Sequence, residues 1–357
     1  MFIVSPKWIY LNNKRLEKDK SLVIDESIIV DILDTKSVEK NYSKLNKIEY
    51  SNHILMPTFT ESYINMDDCF SQADIDRKLE ILLKNGVTRI QVVSEDYKNL
   101  VSYNTDNNLD MSYIVSFNGK TCNQNNIKDI INMLDFYKSD PTKKFSFNLI
   151  NILNFENSLI EKLASISNEI NINIHIQGDV LSEIKDKNEI DNIIKFWDSI
   201  NLLNNCYLHN IFYKNETWLS FLNKKSIKLM IDCNDINSQD KLNSFLSIIE
   251  RNYTCILITD KSNFFNLYKI MSIIKTLNVE DFDTYCRKII NCVTTNTSNI
   301  FSKSNNSGCI KKGLVASFNI YDYSINSFTI KDNSHQLCNL DNQSLTHVWS
   351  AGKKVIF

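Results

Sequence analysis

From residue 54 onward, short apolar strands alternate with amphipathic helices, and the alternation continues to about residue 300. No other feature of the chain restricts its fold as strongly. The strand candidates are ILMPTFTESYIN (54–65), VTRIQVV (87–93), MSYIVSF (111–117), FSFNLINI (145–152), INIHI (172–176), CYLHNIF (206–212), IKLMIDC (227–233) and CILITD (255–260). Helix candidates lie at 71–86, 128–137, 158–167, 188–203, 216–225, 240–252, 263–277 and within 283–301. Eight strands interleaved with helices over roughly 250 residues are the pattern of a closed parallel barrel with helices outside. The expected fold class is therefore α/β, a (β/α)₈ TIM barrel.

The first helix shows how the period changes. In SQADIDRKLEILLKNG, Ser71 is a plausible N-cap, acidic residues follow it, and Gly86 stands just past the end. Ile75, Leu79, Leu82 and Leu83 fall on one stripe at helical spacing. Outside this region the pattern is different. The first 55 residues and the tail from Gly308 read as short β-branched or aromatic strands separated by charged or Asn-rich turns. We expect residues 1–55 and 306–357 to form a composite small β-sandwich domain beside a barrel spanning 56–305. Only six glycines and three prolines occur, so asparagine is expected to fill many turn positions.

Several classes of function have no support. Forty Lys and Arg against 42 Asp and Glu leave a formal charge of −2, with no electrostatic footprint for nucleic acid or an anionic membrane. No stretch approaches the roughly 20 apolar residues of a membrane helix. The start, MFIVSPKWIYLNNK, is not expected to act as a signal peptide. The nine cysteines are scattered and never spaced CxxC, which suits reduced core thiols in a cytoplasmic protein. No GxSxG, Walker or GxGxxG pattern is present.

Barrel enzymes carry their chemistry at the C-terminal ends of the strands. Those ends supply Tyr63 and Asn65 on the first strand, His175 on the fifth, His209 on the sixth and Asp260 on the eighth. Glu61, Tyr63 and Asn65 alternate, so a regular strand would turn all three inward. Two imidazoles and a carboxylate converging on a barrel mouth would suit zinc or iron, which take such ligands at about 2.0–2.2 Å. Each histidine could equally just hydrogen-bond a loop. His53, His335 and His347 lie outside the barrel strands and are expected to serve the β-domain or the surface.

In order along the chain, ILMPTFTESYIN, LLKNGVTRIQVV, INIHIQGDVLSEI, YLHNIFYKNE, ILITD, TTNTSNIF, GCIKKGLVASFNIYD and VWSAGKKV resemble successive motifs of the amidohydrolase superfamily. The branch they resemble contains atrazine chlorohydrolase, guanine deaminase and S-adenosylhomocysteine deaminase. The resemblance runs over nearly the whole chain. It implies a divalent metal that activates water, held by an HxH pair on strand 1, a strand 5 His and a strand 8 Asp. A strand 6 His would lie alongside, and a Glu three residues after the strand 5 His would carry protons. His175, His209 and Asp260 match those positions. The HxH, however, reads Tyr63-Ile64-Asn65, and the Glu position is Gly178, with Asp179 next to it. An amide oxygen is a poor zinc ligand, and a phenol must first lose a proton with a pKa near ~10. Loss of the acid/base carboxylate removes a further ~10²–10⁴ in rate.

Two functions are then in competition. The first is a degenerate C–N hydrolase or deaminase that persists as a binding or partner protein. The second is an active hydrolase with one metal on His175, His209 and Asp260, and with Tyr63 as a fourth ligand or acid. The ligand expected by resemblance is a heterocycle or nucleoside-like small molecule, and the partner is a second copy or an intact paralogue. The loops after strands 3, 4, 7 and 8, around Asn118, Asn151, Asn234 and Ser262, carry no diagnostic cluster.

Overall fold

The computed structural model describes residues 1–67, 71–95, 109–122, 144–178, 186–210, 227–259, 282–297, 308–324 and 343–356, with a few positions between them. The chain opens with β1 (Phe2–Leu11), β2 (Arg15–Lys18), β3 (Lys20–Asp25), β4 (Ile28–Asp34), helix α1 (Thr35–Asn41) and β5 (Asn46–Pro57). The barrel begins with β6 (Phe59–Asn65), α2 (Gln72–Lys84), β7 (Val87–Ser94), β8 (Asp110–Asn118) and β9 (Phe145–Ile150). It continues through α3 (Asn157–Ile170), β10 (Asn173–Gln177), α4 (Lys187–Ser199), β11 (Cys206–His209) and β12 (Lys228–Asp232). After these come α5 (Gln239–Glu250), β13 (Cys255–Ile258) and α6 (Phe282–Cys292). The chain then returns to β14 (Phe318–Asp322), β15 (Leu345–Ser350) and β16 (Lys353–Ile356).

Two sheets result. β6 to β13 form an eight-stranded sheet in sequential order, and every recorded pairing within it is parallel. The terminal strands form the other sheet in the order β16-β15-β14-β5-β1-β3-β4, with β2 paired to β1. N- and C-terminal segments thus share one sheet, joined where β14 runs antiparallel to β5. The helix candidates at 128–137, 216–225 and 263–277 lie wholly or largely outside the described residues.

Local chemistry accounts for the elements. Ser71 caps α2 by accepting from the Asp74 N–H at 3.2 Å, and Ile75, Leu79, Leu82 and Leu83 are its buried face. Where glycine is scarce, asparagine makes the left-handed turns. Asn12, Asn13, Asn151, Asn171, Asn201, Asn210 and Asn252 all have φ between 50° and 59°. Asn171 ends α3 in the position most often given to glycine. The main core lies between strands and helices, and a second cluster fills the lumen with Val93, Ile114, Tyr207, Met230, Ile256 and Ile258. Among the described residues seven cysteines are free thiols and Cys286 is disulfide-bonded, a departure from the expected fully reduced set. Among the described residues no helix is long and apolar enough to cross a membrane.

Gly86 joins barrel and terminal sheet. It has φ +81°, and its carbonyl accepts from the Phe59 N–H at 2.9 Å and from the Asn319 amide at 3.0 Å. A Cβ at this position would run into the Asn319 side chain. Gly86→Ala is expected to lower unfolding stability by roughly 2–3 kcal/mol, from combined backbone strain and steric displacement, as measured by urea denaturation.

Candidate functional site

Parallel pairing sets the site in two layers. Ser116, Asn148, His175 and Tyr207 stand in register on β8, β9, β10 and β11. One step further toward the strand ends, Gln177 stands beside His209. Residues in register across a parallel sheet point to the same side, so both groups face the lumen together.

His175 and His209 are fully buried and bonded directly to each other, with Nδ1 of His175 3.0 Å from Nε2 of His209. One nitrogen donates and the other accepts, so the pair shares a single proton on that axis. Tyr207 stacks on His175 at 4.9 Å and 14°, and Lys228 donates to the Tyr207 hydroxyl at 2.9 Å. Burial holds both imidazoles neutral. It lowers His209 to about 3 and, with His209 and Lys228 adding to the effect, takes His175 well below the ordinary range. The outer nitrogens, His175 Nε2 and His209 Nδ1, are buried without a hydrogen-bond partner among the described residues.

Tyr63 completes the wall. Its ring meets His209 edge-on at 4.9 Å and lies 6.4 Å from His175. Its oxygen accepts from the amides of Asn148 at 2.9 Å and Gln177 at 3.3 Å, and Asn148 also donates to Ser116 at 3.0 Å. The structure therefore brings Tyr63, His175 and His209 together. Asn65 does not join them. Its side-chain oxygen accepts from the Asp67 N–H at 2.7 Å and closes the turn after the strand. Tyr63 and Asn65 stay on one side after the register of β6 against β7 shifts between Glu61 and Ile64, with Asn65 in register with Val93 of the lumen cluster, but the turn takes the Asn65 oxygen. At Gly178 the backbone N–H donates to the His209 carbonyl at 2.8 Å, which ties β10 to β11 with no side chain present. Asp179 and Asp260 lie outside the described residues.

Three participants were not assigned a role from the sequence. Asn148 and Gln177 look like ordinary strand polars there, and only register reveals that they meet at Tyr63. Glu61 is the third. It is fully buried and accepts from the Thr259 backbone N–H at 3.2 Å and the Thr259 hydroxyl at 2.7 Å, across the gap between β6 and β13. Burial raises its carboxyl to about 8, with the Asp232 charge adding to the effect and the Thr259 hydrogen bonds opposing it. Its place in the alternating row with Tyr63 was the signal available, but that row does not name its partner Thr259.

No family model and no curated protein matches the chain at the sequence level. Its architecture is nevertheless that of several solved enzymes. An adenosine deaminase from Xanthomonas campestris with bound zinc superposes with TM-score 0.80 at 10% identity, covering 99% of this chain and 92% of that one. A guanine deaminase from C. acetobutylicum with bound guanine gives 0.77 at 12%, covering 100% of both chains. Atrazine chlorohydrolase from Arthrobacter aurescens with zinc gives 0.75 at 12%, covering 100% and 95%. At these identities the likeness is one of fold.

The residues present do not fit a zinc site of the expected four-ligand kind. Tyr63 and Asn65 stand where the resemblance implies imidazoles. The Tyr63 oxygen is taken by two amide donors, and the Asn65 oxygen is taken by a turn. Among the described residues no three His, Cys, Asp or Glu side chains gather in a way that could hold a metal.

The two kinds of buried group pull stability in opposite directions with pH. The depressed histidines favour the folded state above the ordinary value of 6.5 and cost stability as pH falls toward about 3. Glu61, raised from 4.5 to about 8, costs stability as pH rises through that interval. Glu61→Gln keeps an acceptor for Thr259 and has no charge to form. It is expected to gain roughly 2–4 kcal/mol over the parent at pH 8.5 and little at pH 4.5, as read by urea denaturation at both pH values.

Proposed function

We propose that this chain is a deaminase-fold protein whose hydrolytic metal chemistry is disabled, and that it persists as a binding or partner protein. One observation carries the reading. The position facing His209 is a phenol whose oxygen is already engaged by Asn148 and Gln177, while the two imidazoles bond to each other. A metal would have to break all of these contacts and would gain a weak ligand set in exchange. The missing carboxylate at Gly178 supports the same reading, because no acid/base group stands at that point of the strand end.

The lining of hydroxyl, amide and neutral imidazole suits an uncharged polar ligand, a heterocycle or nucleoside-like molecule by analogy with the fold relatives. The same reading includes a cytoplasmic location and either self-association or pairing with an intact paralogue. It takes residues 1–55 with 306–357 as one unit and 56–305 as the other.

A second reading rests on a separate observation, the buried outer nitrogens of His175 and His209 without described partners. With the rings turned so that their bond to each other is broken, the two imidazoles, with Asp260 and Tyr63, would hold a single metal that polarises water when bound.

Metal analysis separates the two readings. The chain is purified from medium supplemented with zinc and iron and passed through gel filtration, and metal is then measured per chain. The expected result is well below one equivalent, and unchanged by His175→Ala. One tightly held equivalent, lost in both His175→Ala and Asp260→Ala, overturns the first reading in favour of the second.

A further inference from the structure

The terminal sheet contains a second histidine pair, which the barrel site does not use. His53 on β5 stands in register with Asp322 on β14, and His347 on β15 stands in register with Ile320 on the same strand. Both imidazoles lie against Tyr50, with ring centroids 5.4 and 5.1 Å from it, and they are 6.5 Å from each other. The Nδ1 atom of His53 is buried without a hydrogen-bond partner among the described residues, whereas Nδ1 of His347 pairs with the Thr346 hydroxyl at 2.9 Å. The pair therefore spans three adjacent strands, β5, β14 and β15, at the junction of the two ends of the chain.

We propose that His53 and His347 form an acid-sensitive joint, whose protonation loosens the pairing of β5, β14 and β15. Two imidazolium ions would share one half-buried patch with the Lys354 ammonium of β16. Among the described residues, the opposing charge that bears on them is Asp322 of β14. Asp322 already accepts from the Ser324 N–H and hydroxyl at 2.8 and 2.6 Å, so its carboxylate is partly committed. Burial is the main cause that disfavours the charged form at both positions. It takes His347 to about 4, with Lys354 and His53 adding to it, and it lowers His53 against the pull of Asp322. Stability of the joint is present above the ordinary value of 6.5 and is lost as pH falls toward about 4. β5 ends at Pro57 and β6 starts at Phe59, so loosening is delivered next to the strand that carries Tyr63.

The barrel histidines titrate in the same direction, so the test has to be local. Hydrogen–deuterium exchange of the full chain is followed by mass spectrometry at pH 7.5 and pH 5, with rates corrected for their intrinsic pH dependence. Segments 46–57, 318–322 and 345–350 are expected to lose roughly tenfold or more in protection at pH 5. In the double variant His53→Gln with His347→Gln, the loss in those segments should shrink to less than about threefold. An unchanged loss in the double variant overturns the proposal. If the double variant does not fold, imidazole proton titration of the parent by NMR decides. Midpoints of both residues well below 6.5 are expected, and ordinary midpoints for both refute the joint.

Discussion

An eight-stranded parallel sheet has two edges whose N–H and C=O groups need partners, and in this barrel the edges are β6 and β13. Among the described residues no ladder pairing joins them, and side chains and one turn bridge the gap. The Glu61 carboxyl takes the Thr259 N–H and hydroxyl, the Val293 carbonyl takes the Thr60 N–H at 2.9 Å, and the Asn296 amide donates to the Cys255 carbonyl at 2.7 Å. The same turn reaches the terminal sheet, because Asn13 donates to the Thr294 hydroxyl at 3.0 Å and to the Gly308 carbonyl at 2.8 Å. Closure of the barrel therefore rests on this set of contacts, which also adds to the attachment of the small sheet made at Gly86. The position of Tyr63, two residues beyond Glu61 on β6, depends on it too.

Within that frame, the site is consistent with a fold that keeps polar residues at the barrel mouth and satisfies them internally. A buried imidazole without a partner is costly, and pairing two of them satisfies one nitrogen on each with one proton. A buried phenol oxygen likewise needs donors, and Asn148 and Gln177 supply them. These contacts are mutually supporting because they connect four different strands, β6, β9, β10 and β11. They also make the mouth rigid around neutral groups, which favours recognition of an uncharged ligand over stabilisation of a developing charge.

The barrel was legible in the sequence because its signal is periodic and repeated. Each strand run is β-branched and buried, and the α2 stripe of Ile75, Leu79, Leu82 and Leu83 faces the core as its spacing requires. The meeting of His175 with His209 was also legible, from strand-end position alone. What sequence could not show was register. The shift between Glu61 and Ile64 is a backbone irregularity with no residue-type signature, and the turn that takes the Asn65 oxygen is likewise a matter of backbone geometry. The roles of Asn148 and Gln177 depend on which residue stands beside them on the next strand. That is fixed by long-range pairing and not by their neighbours in the chain.

The shortage of glycine bears on the same point. Left-handed turns at Asn171, Asn201 and Asn252 follow α3, α4 and α5, and each precedes or leads toward the next barrel strand. Asparagine tolerates this conformation less freely than glycine but loses less chain entropy on folding. Glycine is kept where a side chain cannot be placed, as at Gly86 against Asn319. Gly178 is a different case. Its φ is not positive, it is buried, and its N–H is used to fasten β10 to β11 beside the imidazole pair. A residue with a side chain could adopt that backbone, so conformation alone does not require glycine there. In a chain with six glycines, one stands beside the paired histidines and contributes a strand-end hydrogen bond without a side chain.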